Sequence, residues 1–127
     1  MYNEKIMQLF TSLENSGRVK KPSGIGLAKD ELYGDIIEVF LKVDESGQIT
    51  DASFKAYGSV LAIATGSVVA SLAKNKRLQE ALEITTYDIK AQLGEFDSSR
   101  DYVLELGVQA LLNGVKDYYE KEEKKAK

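Results

Sequence analysis

Residues 60–73 read Val-Leu-Ala-Ile-Ala-Thr-Gly-Ser-Val-Val-Ala-Ser-Leu-Ala, with no charge before Lys74. A helix of this composition has no face for water, so the rest of the chain has to enclose it on every side. Tyr57-Gly58-Ser59 leads directly into it. Gly58 permits a sharp bend out of a β-like segment, and Ser59 stands where an N-cap hydroxyl accepts from a first-turn amide. The positive end of such a helix also suits an anion or a thiolate, but the position holds a serine.

With 127 residues the chain is long enough for one domain with a real core and needs no staples. It contains neither cysteine nor histidine, which removes the usual ligands of zinc, copper and iron–sulfur clusters, thiol nucleophiles and imidazole acid–base catalysis. Any metal would sit among oxygens. Seventeen basic against 20 acidic residues give a net charge of −3 with no basic field, so nucleic acid is not an expected partner. No apolar run approaches the roughly 20 residues of a membrane span, and the opening Met-Tyr-Asn-Glu-Lys is unlike a signal peptide. The localisation read from this is cytoplasmic. There is no nucleophile–base pair, paired carboxylate or cofactor motif, and the protein is read as not an enzyme.

Along the chain, Ile6, Phe10 and Leu13, with Met7 alongside, predict an amphipathic helix over 3–14 capped near Asn3. Residues 20–26 are basic and rich in glycine, and read as a connection; no Lys-Ser or Lys-Thr completes a phosphate loop. A short strand is expected over 26–32. Period-two alternation places Ile37, Val39, Leu41 and Val43 on one face of a second strand, and residues 48–57 alternate again after the turn at 44–47, giving an antiparallel hairpin. Ile36 and Phe40 fall on the polar face and are read as surface residues. Short helices follow over 77–82 and from Thr85 to Gly94. A last helix is expected from about Asp97, with Ser98 and Asp101 as a capping-box-like pair and Leu104, Val108, Leu111, Val115 and Tyr118 as its stripe. The domain is bounded at 1–119, and the charged tail 120–127 is expected to fray. The fold class is α+β, a small antiparallel sheet of about three strands with helices mainly on one face.

The order of these segments resembles the scaffold proteins of iron–sulfur cluster assembly, the IscU, SufU and NifU N-terminal domain family. Met1-Tyr2-Asn3-Glu4-Lys5 is similar to the family's Met-Tyr-Ser-Glu-Lys, and Glu14-Asn15-Ser16-Gly17-Arg18 to its Arg-Asn-x-Gly-Arg turn. Tyr33-Gly34-Asp35 stands where the family has Cys-Gly-Asp, and Phe54-Lys55-Ala56-Tyr57-Gly58-Ser59 where it has Phe-Lys-x-Phe-Gly-Cys. Residues 82–93 and Val115-Lys116-Asp117-Tyr118 complete a match over nearly the whole chain.

In that family three cysteines hold the nascent cluster, helped by the Asp after the first and a His before the third. The resemblance places these positions at Tyr33, Asp35, Ser59, Tyr102 and Val103, so only Asp35 is retained. The family's Leu-Pro-Pro-Val-Lys chaperone segment corresponds to Phe96-Asp97-Ser98-Ser99-Arg100, and the chaperone contact is read as lost. The implied function is a scaffold-family member without cysteine ligands, a non-catalytic binding or regulatory module in iron–sulfur cluster biogenesis. Its implied partners are a cysteine desulfurase or another scaffold, with Tyr2 and the first helix as the candidate surface. No cofactor is expected, and no cluster unless a partner supplies ligands. The alternative is that the former cavity became a small-molecule pocket or an oxygen-ligated metal site, with Asp35 as the metal candidate and Asp101 a further oxygen donor. Against that stands a purely structural reading, in which Ser59 caps the helix, Val103 adds apolar area and Tyr33 and Tyr102 fill the ligand space.

Overall fold

The structure, a computed structural model, describes residues 2–126. Met1 of the opening motif and Lys127 of the charged tail lie outside the described residues. The elements run α1 (Glu4–Ser12), β1 (Gly24–Lys29), β2 (Ile36–Val43), β3 (Ile49–Tyr57), α2 (Val60–Ala73), α3 (Leu78–Ala81), α4 (Thr86–Leu93), a 3₁₀ turn (Ser98–Arg100) and α5 (Tyr102–Lys125). The strands form an antiparallel meander in the order β1-β2-β3, with Gly26 opposite Val39 and Val39 opposite Phe54. This is the α+β architecture expected from the pattern order.

One face of the sheet supplies Ala28, Ile37, Val39, Leu41, Ala52 and Phe54 to the core, as the period of two dictates. Onto it packs α2, enclosed by the sheet, α1, α4 and α5. Most of its residues are buried, including Thr65, Gly66 and Ser67 as well as its aliphatics. At its far end Lys74 turns outward, 3.9 Å from Asp51.

Close packing between α5 and β1 rests on glycines. A Cβ on Gly26 would collide with the Ala110 carbonyl oxygen and the Gly114 amide, so the helix lies against bare strand backbone. Side chains of α5 then reach around the strand. Asp117 accepts from the Ile25 amide at 2.8 Å, and Asn113 donates to the Leu27 carbonyl at 2.9 Å. On the other side of the sheet, Phe54 exchanges backbone hydrogen bonds with Asn15 and Gly17.

Five local expectations are corrected. Phe40 is 1% exposed rather than a surface residue, because segment 14–23 crosses the outer sheet face. Arg18 stacks its guanidinium 5.4 Å from the Phe40 ring centroid, and the Val19 amide donates to buried Ser53 at 3.1 Å. The glycines at 24 and 26 belong to β1 rather than to a turn, so that strand begins and ends earlier than 26–32. In α1 the buried pair is Ile6 and Leu9, whereas Leu13 is the exposed left-handed residue that closes the helix. The final helix starts at Tyr102, not near Asp97; Asp97 instead accepts from the Ser99 amide and opens the 3₁₀ turn. Finally, α5 crosses the 119/120 boundary without a break and remains helical to Lys125. Its exposed last turns carry the ion pairs Lys121–Asp117 at 2.8 Å and Lys125–Glu122 at 3.3 Å, so helix continues there without an apolar face.

The contact between α5 and β1 yields a direct expectation. Gly26→Ala forces helix and strand apart and destabilises the protein by about 3 kcal/mol, the upper range for overpacking. Equilibrium denaturation in urea measures it; a loss under about 1 kcal/mol means the packing yields where the argument says it cannot.

Candidate functional site

The turn between β1 and β2 is wound tightly by its own backbone. The Gly34 amide donates to the Asp30 carbonyl and the Asp30 amide to the Asp35 carbonyl, both at 2.8 Å, while the Asp30 side chain accepts from the Tyr33 amide at 2.9 Å. This winding turns Tyr33 outward, 65% exposed, and Asp35 inward, 3% exposed. A carboxylate so deeply placed needs donors. The Ser59 amide donates to Asp35 Oδ1 at 2.8 Å, and the Ser59 and Tyr102 hydroxyls donate to Oδ2 at 3.3 and 3.2 Å. Ser59 Oγ in turn accepts from the Ala62 amide at 3.1 Å, so one hydroxyl caps α2 and holds Asp35. Gly58 stands at φ +117°, and a Cβ there would collide with Asp35 Oδ1. Only glycine brings the strand end this close to the carboxylate.

Tyr102, the first residue of α5, stacks on Tyr33 with ring centroids 4.7 Å apart and planes inclined by 26°. The Arg100 guanidinium lies 5.9 Å from the Tyr102 ring centroid on the same wall. Together with Gly58, Ser59 and Ser99 these side chains line an open depression of about 360 Å³ with Asp35 at its floor. Burial raises the Tyr102 phenol above its ordinary value, the nearby Asp35 charge and the hydrogen bond to it raise it further, and Arg100 offsets part of this.

Of the positions singled out in the sequence, the structure brings Tyr33, Asp35, Ser59 and Tyr102 together. Val103 is not with them: it is fully buried in the core. Asp101 faces α4, 3.6 Å from Lys90, and does not line the depression. Tyr2 is half-buried and packs against the core cluster. Two wall residues, Ser99 and Arg100, escaped the sequence reading as parts of this depression; the basic side chain two residues before Tyr102 was the signal for them.

Comparison with known proteins decides the family. The NifU-like N terminal domain family matches residues 1–125. The chain belongs to this family of iron–sulfur cluster assembly scaffolds. It is 31% identical over 121 residues to the iron-sulfur cluster assembly scaffold protein IscU 1 of Archaeoglobus fulgidus, covering 95% of this chain and 78% of the relative. To the scaffold protein IscU of Haemophilus influenzae it is 32% identical over 124 residues, covering 95% and 98%. A NifU-like N-terminal protein from Brucella abortus has the same fold, with a TM-score of 0.71 at 20% identity and 94% of each chain covered.

Within that family the cluster is cargo held by thiolates, and the residues of this chain do not fit it. The sequence has no cysteine to supply a thiolate, Val103 faces the core, and the Asp35 oxygens already accept three hydrogen bonds. Among the described residues no three His, Cys, Asp or Glu side chains gather as a metal-binding group.

Two measurements test this chemistry. Asp35→Asn lowers stability by about 1.5 to 3 kcal/mol and Ser59→Ala by about 1 kcal/mol, and neither change depends on millimolar Mg²⁺ or Mn²⁺. Denaturant midpoints with and without the ion check this, and metal-dependent stabilisation confined to wild type would contradict it. The second is alkaline. A phenol that keeps its proton more tightly folded than unfolded gives stability that is complete below the unfolded value near 10.0 and is lost as pH rises through the raised value. Wild type therefore loses more stability above pH about 10 than Tyr102→Phe does, as a thermal-melt series over pH would record.

Proposed function

We propose that this chain is a scaffold-family member that no longer carries a cluster and acts as a non-catalytic binding or regulatory module in iron–sulfur cluster biogenesis. The observation that carries this reading is the fate of the ligand positions. By the family resemblance the three cysteine sites fall at Tyr33, Ser59 and Val103, and the one family side chain retained on that correspondence, Asp35, is hydrogen-bonded to Ser59 and Tyr102. Each replacement has a structural use, and none supplies the electron-rich sulfur that binds iron. What such a protein retains is the family's shape, and shape serves recognition.

The partners proposed on this basis are a cysteine desulfurase or another scaffold protein, met in the cytoplasm. Tyr2 and the exposed side of α1, which includes Met7, form the candidate surface. The segment 96–100 has the 3₁₀ turn Ser98–Arg100 where the family has Leu-Pro-Pro-Val-Lys, which supports loss of the chaperone contact. Among the described residues no helix is long and apolar enough to cross a membrane.

Anaerobic reconstitution with iron and sulfide is the test. The pure protein is expected to remain without charge-transfer absorbance, and Ser59→Cys is expected to fold and still hold no cluster, because one thiolate does not replace three. Titration against the purified desulfurase and a cysteine-bearing scaffold from the same cell should reveal a complex with at least one of them, weakened by Met7→Ala, a change at an exposed residue of that surface, at unchanged melting temperature. A stoichiometric cluster in the pure protein, or no complex with either partner, refutes the proposal.

A further inference from the structure

The depression beside Asp35 contains a guanidinium, that of Arg100, which lies over the Tyr102 ring but forms no ion pair among the described residues. Ion pairs among the described residues employ Lys74, Lys90, Lys121 and Lys125, and Arg100 takes part in none of them. Its neighbour Asp101, the nearest carboxylate in sequence, is turned away to Lys90. Arg100 Nε is buried and has no hydrogen-bond partner. A buried donor on a charged group is costly to leave unpaired, and guanidinium is the side chain best shaped to grip a planar or tetrahedral oxyanion through two nitrogens at once.

The surroundings favour an anion over a cation. Asp35 is the only acid lining the depression, and it lies at the floor with its oxygens accepting from the Ser59 amide and from the Ser59 and Tyr102 hydroxyls. Arg100 and the hydroxyl-bearing residues Ser99 and Tyr33 remain as wall groups, and the stack of Tyr33 on Tyr102 keeps that wall flat and firm. A volume of about 360 Å³ admits a small molecule rather than a polymer segment. We infer that this depression binds a small oxyanion-bearing ligand, a phosphate or a carboxylate, with Arg100 as the residue that pairs with its charge. The inference is independent of protein partnership, so loss of either leaves the other standing.

Amide NMR titration of the full chain with inorganic phosphate, at ionic strength held constant with NaCl, is the experiment, with malonate as the carboxylate probe. The expected result is saturable shifts centred on Ser59, Ser99, Arg100 and Tyr102 with at least one probe. Which probe saturates at lower concentration distinguishes a phosphate source from a carboxylate one. Arg100→Gln weakens binding about tenfold or abolishes saturation, and Arg100→Lys, which keeps the charge but loses the fork, falls between the two. Should Arg100→Gln not fold, Arg100→Lys alone decides, since it must still bind more weakly than wild type. Linear, non-saturating shifts with both probes would overturn the inference. So would saturation unchanged in the Arg100 variants, or shifts centred instead on a separate depression whose lining includes Lys21, Lys42 and Lys124.

Discussion

A helix with no polar face is stable only inside a protein, and enclosing α2 is the constraint that everything else in this fold satisfies. The sheet covers one side, α5 and α4 another, and α1 the remainder. Enclosure creates a second demand, because first-turn amides of a buried helix need acceptors where water is scarce. Ser59 and Asp35 meet that demand. The carboxylate thereby joins three separate segments, the β1–β2 turn, the start of α2 and the start of α5, at one point.

On the reading proposed above, this arrangement is a ligand site turned structural. A thiolate at the start of a helix draws on the dipole and the free amides to stay ionised. A serine hydroxyl in that place accepts from an amide and still has a proton to donate, so it satisfies the helix and the neighbouring acid together. Tyr33 and Tyr102 add ring area and one further hydroxyl around the same acid. With these partners the acid is a fixed acceptor.

Much of this was legible in the sequence because it depends on local patterns. The apolar run at 60–73, the alternation over 36–57 and the Gly58-Ser59 junction each follow from one period or one cap, and the family's motif order fixed their connection. What was not legible depends on contacts between distant segments. Phe40 sits at a polar-face position by periodicity, and only the crossing of Arg18 and Val19 buries it. The glycines at 24 and 26 look like turn residues until α5 is seen pressed against them. Val103 and Tyr102 are adjacent in sequence, yet a step of about 100° around the helix sends one into the core and the other to the depression. The charged end of α5 was misjudged for a different reason: absence of an apolar face argues against packing, not against helix, where Glu and Lys pair along the turns.

The side chains of Asp117 and Asn113 occupy the Ile25 amide and the Leu27 carbonyl, and Asn15 and Gly17 occupy both backbone groups of Phe54. Those stretches of both outer strands therefore offer an incoming chain only an interrupted ladder. Strand addition, the cheapest route to a new complex and also to aggregation, is impeded along them. Recognition at these edges then falls to side chains, which substitution can alter while the fold beneath stays the same.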